Sequence, residues 1–162
     1  MNAAELMVRV AELRAAPAGN VLVTVGLGSC VAIALYDPQA RVGGLAHVLL
    51  PSPALSRAQD SPGKFPQTAV PGLLEAMTEL GAVRRRITAR LAGGASMFGN
   101  IAPAGSIQMG ERNVVACRQV LQQHDLPLTG EAVGGDYGRT VRLCVDTGRL
   151  DVSSIRHGLQ QL

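Results

Sequence analysis

A cysteine that follows a glycine-rich turn, with a histidine seventeen residues later, is the pairing in this chain most able to do chemistry. Cys30 ends the run Gly26-Leu27-Gly28-Ser29-Cys30, and His47 lies in Gly43-Gly44-Leu45-Ala46-His47. A thiol is a strong nucleophile only as its thiolate, and a neighbouring imidazole can supply that form by taking the proton. The glycines allow a sharp bend and leave space above the sulfur, and backbone N–H groups at Gly28 and Ser29 are candidates to hold an oxyanion. Thr24, six residues upstream, offers a hydroxyl or a carbonyl that could orient the second ring nitrogen of His47. The expected resting state is a thiolate beside an imidazolium.

These residues need a scaffold that joins them. Residues 31–36 form an apolar run, residues 37–40 (Asp-Pro-Gln-Ala) have turn chemistry, and residues 41–50 resume as a strand. A hairpin turning on 37–40 pairs Tyr36 with Arg41 and carries the register down to Cys30 directly opposite His47. Facing residues have Cβ atoms about 4.5–5.5 Å apart. A one-residue slip would send the two side chains to opposite faces.

Around this hairpin the pattern gives a strand leaning over 6–13, a buried strand over 20–25, and a helix over 68–80. It continues with a strand over 86–91, a helix over 111–124 whose apolar face is Val114, Val115, Val120 and Leu121, and a strand over 128–133. A last hairpin joins 140–145 to 150–154. Residues 51–66, rich in proline and serine, read as a surface loop. About seven or eight strands interrupted by two helices indicate an α+β or layered α/β fold on a mostly antiparallel sheet. With 162 residues the chain fits one domain, 1–162.

Composition narrows the function. Of 15 basic residues only Lys64 is lysine, and the net charge is +3. That excess is too small to indicate nucleic acid, and 2% aromatic content offers no stacking platform for bases. The Arg84-Arg85-Arg86 run reads as a solvated junction. No apolar stretch reaches the ~18 residues of a membrane span, and the N-terminus lacks a secretory pattern. Three widely spaced cysteines fit a reducing cytoplasm, and no metal motif occurs, so neither metal nor cofactor is expected. Free cysteines are mostly small core hydrophobes, and that reading is taken for Cys117 and Cys144. His124 and His157 read as surface residues.

The segments 24–31, Tyr36-Asp37 and 43–51, then Lys64-Phe65, Gly93-Gly94-Ala95-Ser96-Met97, Gly110-Glu111-Arg112-Asn113, Gly134-Gly135 and Gly138-Arg139, resemble in order the CheD family of bacterial chemoreceptor glutamine deamidases. The resemblance spans about residues 20–154. It departs at Ala92, where an aromatic such as phenylalanine is expected, and at Ala46, where asparagine is common; either could reshape the pocket.

The resemblance implies a three-layer α/β/α sandwich with a mostly antiparallel mixed sheet, related to the deamidating domain of a cytotoxic necrotizing toxin. It implies a catalytic set of Cys30, His47 and Thr24. It implies a cofactor-free amide hydrolase that converts glutamines on the cytoplasmic helical domain of methyl-accepting chemoreceptors to glutamates through a thioester. A CheC-type phosphatase is the further partner it implies, and a monomer is the expected state. Two alternatives use the same features: an adaptor that docks to the phosphatase, and a methylesterase acting on the same receptors. Of the 19 glycines, most of Gly26, Gly28, Gly43, Gly44, Gly93, Gly94, Gly110, Gly134, Gly135 and Gly138 are expected to gather on one rim around a shallow site.

Overall fold

The computed structural model describes residues 3–58, 61–97 and 108–162. Among these described residues, ten strands and two α-helices follow in the order β1 (Ala4–Met7), β2 (Leu13–Pro17), β3 (Asn20–Leu27), β4 (Val31–Asp37), β5 (Val42–Val48), α1 (Pro66–Glu79), β6 (Thr88–Gly93), α2 (Met109–Gln123), β7 (Leu128–Val133), β8 (Arg139–Cys144), β9 (Leu150–Ser154) and β10 (Gly158–Gln161). The strands make two five-stranded sheets, β2-β5-β4-β6-β7 and β1-β3-β8-β9-β10. Each sheet has one parallel pair, β6 with β7 and β1 with β3, and is otherwise antiparallel.

The α+β class and the mixed, mostly antiparallel pairing agree with the sequence. The layers are helices, sheet, sheet. Both helices lie on the β2-β5-β4-β6-β7 sheet, α1 over β2 and β5 and α2 over β4, β6 and β7. The second β-sheet occupies the outer layer where the α/β/α resemblance implied helices.

β4 and β5 are buried at every position because helices cover one face and the second sheet the other, which is why they read as continuous apolar runs. Alternation sorts their side chains between two cores. Val31, Ile33, Leu35, Val42, Ala46 and Val48 face the helices, with Leu73, Met77, Val120 and Leu121. Cys30, Ala32, Ala34, Tyr36 and Leu45 face the other sheet, with Leu22, Val141, Leu143 and Leu150. Gly44 lets α1 approach: a Cβ there would stand 2.9 Å from Met77 Sδ.

Three local expectations change. The strand expected over 6–13 is instead the end of β1, a crossing over 8–12 and the start of β2, because β1 joins one sheet and β2 the other. The hairpin turn is 38–41, one residue later than expected. Asp37 stays in the strand because its carboxylate accepts from the N–H groups of Gln39, Ala40 and Val83 and from Arg86 Nε. Burial alone would raise its pKa, but Arg86 and those three N–H groups outweigh burial and hold the carboxyl at about 2. Arg41 then takes the left-handed conformation, φ +52°, to close the turn. Finally, α2 buries Asn113, Val114, Cys117, Val120 and Leu121, whereas Val115 is exposed.

Among the described residues no helix is long and apolar enough to cross a membrane.

Candidate active site

The displaced turn moves the hairpin register by two residues. Val31 pairs with Val48 and Ala32 with His47. Cys30, just before β4, is therefore diagonal to His47 and not opposite it. A shift of two preserves the face. Both residues remain on the side that meets the second sheet, at the diagonal spacing of about 7–8 Å between Cα atoms and less between Cβ atoms. The small side chain of Ala32, directly opposite His47, leaves room between them.

His47 is completely buried. Its backbone is fixed on the β2 side, where its N–H donates to Glu12 O (3.0 Å) and its carbonyl accepts from Ala11 N–H (2.9 Å). The ring is fixed from the other sheet. Thr24 Oγ1 lies 2.7 Å from His47 Nδ1 and 2.5 Å from the Val8 carbonyl. A carbonyl can only accept, so the Thr24 hydroxyl spends its proton on Val8. Its remaining lone pair must then receive a proton from Nδ1. This relay selects the tautomer with a bare Nε2. Nε2 is buried and has no hydrogen-bond partner among the described residues. The bare nitrogen of a neutral imidazole is what a proton acceptor requires.

The cysteine turn is held by its carbonyls. Gly28 O accepts from Ala95 N–H (2.8 Å), Cys30 O from Gly94 N–H (2.8 Å), and Ser29 O from Asn113 Nδ2 (2.9 Å). Gly93 must be glycine: its φ is +110°, and a Cβ would come within 2.3 Å of the Cys30 carbonyl oxygen. Gly28 N–H donates to Gly26 O (3.1 Å), leaving the N–H groups of Ser29 and Cys30 as the turn's donors nearest the sulfur. A cavity of about 610 Å³ opens beside this turn, lined by Gly26, Met97, Tyr137, Gly138 and Arg139 among others. It does not include Cys30 or His47, and reaches the turn through Met97, whose Cγ is 3.5 Å from a Cβ built at Gly28.

The electrostatics differ from the expected ion pair. Burial pushes the Cys30 thiol pKa up, against a smaller lowering by its own backbone N–H. Burial pushes the His47 pKa down. Both directions favour a thiol and a neutral imidazole over the charged pair.

The glycines divide. Gly93, Gly94, Gly110, Gly134 and Gly135 collect at the end of β6: Gly134 N–H donates to Gly93 O, and a Cβ at Gly110 would strike Ala95 O and Gly94 O. Gly43 and Gly44 are elsewhere, under Leu143 and Met77. Ala46 faces the helices, away from the candidate site, while Ala92 is buried on the inter-sheet side opposite Ala32. Cys117 is a buried core residue, as expected; Cys144 is half-buried. His124 caps α2 beside Arg84, and the His157 ring packs at a tilt against Tyr137 at the surface. Among the described residues no three metal-binding side chains gather. Asn113 was quoted from sequence only within the Gly110-Glu111-Arg112-Asn113 segment, with no role given to it. Its signal was helical spacing, four residues before Cys117 and seven before Val120 on the buried face.

A cysteine beside an imidazole that is held at one nitrogen and bare at the other is the equipment of thiol-dependent acyl transfer. The family model described as CheD chemotactic sensory transduction matches residues 49–154. The chain is 39% identical, over all of both sequences, to the probable chemoreceptor glutamine deamidase CheD of Caldanaerobacter subterraneus. It is 42% identical, over 97% of this chain and 98% of the relative, to the probable chemoreceptor glutamine deamidase CheD 2 of Geobacter metallireducens. With the probable chemoreceptor glutamine deamidase CheD of Archaeoglobus fulgidus it shares 43% identity over 95% of this chain and 96% of that one. The chain belongs to the CheD family.

Proposed function

We propose that this protein is a cysteine-dependent chemoreceptor glutamine deamidase. The observation that carries the reading is the Val8–Thr24–His47 relay, which leaves a buried, bare Nε2 on the same face as Cys30. As Cys30 Sγ attacks the carboxamide carbon, its proton passes to His47 Nε2. The carbonyl becomes an oxyanion, received by the N–H groups of Ser29 and Cys30, while Gly28 keeps the approach free of a side chain. The C–N bond then breaks and the imidazolium gives its proton to the departing ammonia, leaving a thioester. Water adds next and Nε2 takes its proton. The thioester C–S bond breaks, the glutamate is released, and the thiolate regains its proton from His47. Glutamine plus water gives glutamate plus ammonia. Because both groups are neutral at rest, His47 acts as a general base during attack and the thiolate is not preformed.

The substrate is read from the relatives' names as glutamines of chemoreceptors, and their cytoplasmic helical domain is the part that the family resemblance implies. The test incubates a receptor helical fragment with the protein and measures mass and released ammonia. Each converted site gains about one dalton, and Cys30→Ala abolishes the gain. Wild-type turnover by Cys30→Ala overturns the reading. The same fragment carrying methyl esters tests esterase activity, which the same atoms could support; a faster ester rate would reassign the substrate.

A further inference from the structure

Asn113 is completely buried on α2, at the point where β4 and β5 separate. Its amide faces two carbonyls, Ser29 O at 2.9 Å and Leu49 O at 3.1 Å. Only nitrogen can face two carbonyls, so the amide orientation is fixed by chemistry. Ser29 immediately precedes Cys30, and Leu49 follows His47 by two residues. The last paired residues of the hairpin are Val31 and Val48. One side chain therefore bridges the two strands one step beyond the last rung of their ladder, where the cysteine sits.

Asn113 Oδ1 is buried and has no hydrogen-bond partner among the described residues. An apolar side chain here would remove that unpaired acceptor but would also take the Nδ2 donors from Ser29 O and Leu49 O, so what the amide supplies is its two bonds to the ends of the two strands. The polar group is retained where its two N–H bonds set the distance between the nucleophile's turn and the strand of the base.

We propose that Asn113 is a positioning residue that holds Cys30 within proton-transfer reach of His47. This rests on the Cys30–His47 pairing proposed above, and its failure is separable from failure of that reading.

The experiment measures alkylation of Cys30 by iodoacetamide from acid to alkaline pH, by mass spectrometry of the Cys30 peptide, in the full-length protein. Wild type shows a neutral-pH rate, with His47 taking the thiol proton as the sulfur attacks the reagent, that His47→Gln removes. A wild type without that rate would overturn the pairing itself, and the proposal with it. Asn113→Leu keeps the approximate volume and removes both donors. Its neutral-pH alkylation rate falls at least tenfold, toward the His47→Gln profile. Its kcat falls in parallel with KM unchanged, although the variant unfolds cooperatively on heating. Asn113→Ser, with one shorter donor, falls between Leu and wild type. Folded variants with the wild-type profile and kcat overturn the positioning role. Loss of folding in both variants also overturns it, assigning Asn113 to stability.

Discussion

The two faces of β4 and β5 are built from the same residues in alternation, yet they do different work. The helix-facing set, Val31, Ile33, Leu35, Ala46 and Val48, is entirely apolar and closes on Leu73 and Met77. The inter-sheet set includes Ala32, Ala34 and Leu45, but it also carries Cys30 and the buried His47, with Thr24 reaching across from β3. Burying polar groups is costly unless they are bonded. Here one imidazole nitrogen is satisfied and the other is left bare, as a proton acceptor needs. The apolar face packs the strands against the helices, while the opposite face of the same strands carries an incompletely satisfied group.

The comparison is broken most strongly at His47. His47→Gln lowers kcat by about 10²–10⁴-fold, the usual contribution of a general base. Thermal unfolding reports whether the fold persists. The converse substitution is Leu73→Ala on α1, fully buried against the other face. It costs about 2–5 kcal/mol of stability in denaturant titrations, while kcat of the folded fraction stays near wild type. A large kcat loss there would show that the faces are not separable.

Thr24→Val tests the bond that crosses between the sheets. It removes the donor to Val8 O and the acceptor for Nδ1. Stability falls by about 1–3 kcal/mol from the unpaired buried groups. The kcat falls about 10–100-fold, less than on losing the base itself, because the imidazole remains but its tautomer is no longer fixed. Steady-state kinetics beside denaturant titration separates the two effects.

The smallest effect is on pH dependence. His47 must be neutral to accept the thiol proton, and burial lowers its pKa. The acid limb of kcat/KM therefore falls below the ordinary histidine value of about 6.5. The same lowering links to stability. The unfolded chain binds the proton more readily, so the stability from neutral His47 is present above about pH 6.5 and is lost as pH falls through the folded pKa. Unfolding midpoints measured across that range check the sign, with His47→Gln as the reference.

Much of this arrangement was legible in the residues, for local reasons. The continuous apolar run 31–36 and the strand read over 41–50 marked β4 and β5, and the spacing of Leu73, Leu74 and Met77 marked α1. The face shared by Cys30 and His47 also followed, since face depends only on parity. β10 was not anticipated, because its four residues are all exposed and carry no apolar period. The actual register was not legible. It depends on Asp37, whose partners Val83 and Arg86 lie 46 and 49 residues away and hold it in the strand. Nothing near the turn reveals them.

The amino-acid sequence by itself determined which residues could be nucleophile, base and orienting hydroxyl, because thiol, imidazole and threonine chemistry belongs to the side chains. Only the tertiary structure decided that Cys30 is diagonal to His47. It likewise decided that the imidazole rests neutral with Nε2 bare, and that Asn113 ties the two strands beyond their last rung. Each of those depends on burial or on a hydrogen bond between residues distant in the chain. Such bonds exist only when the two sheets and α2 have packed together.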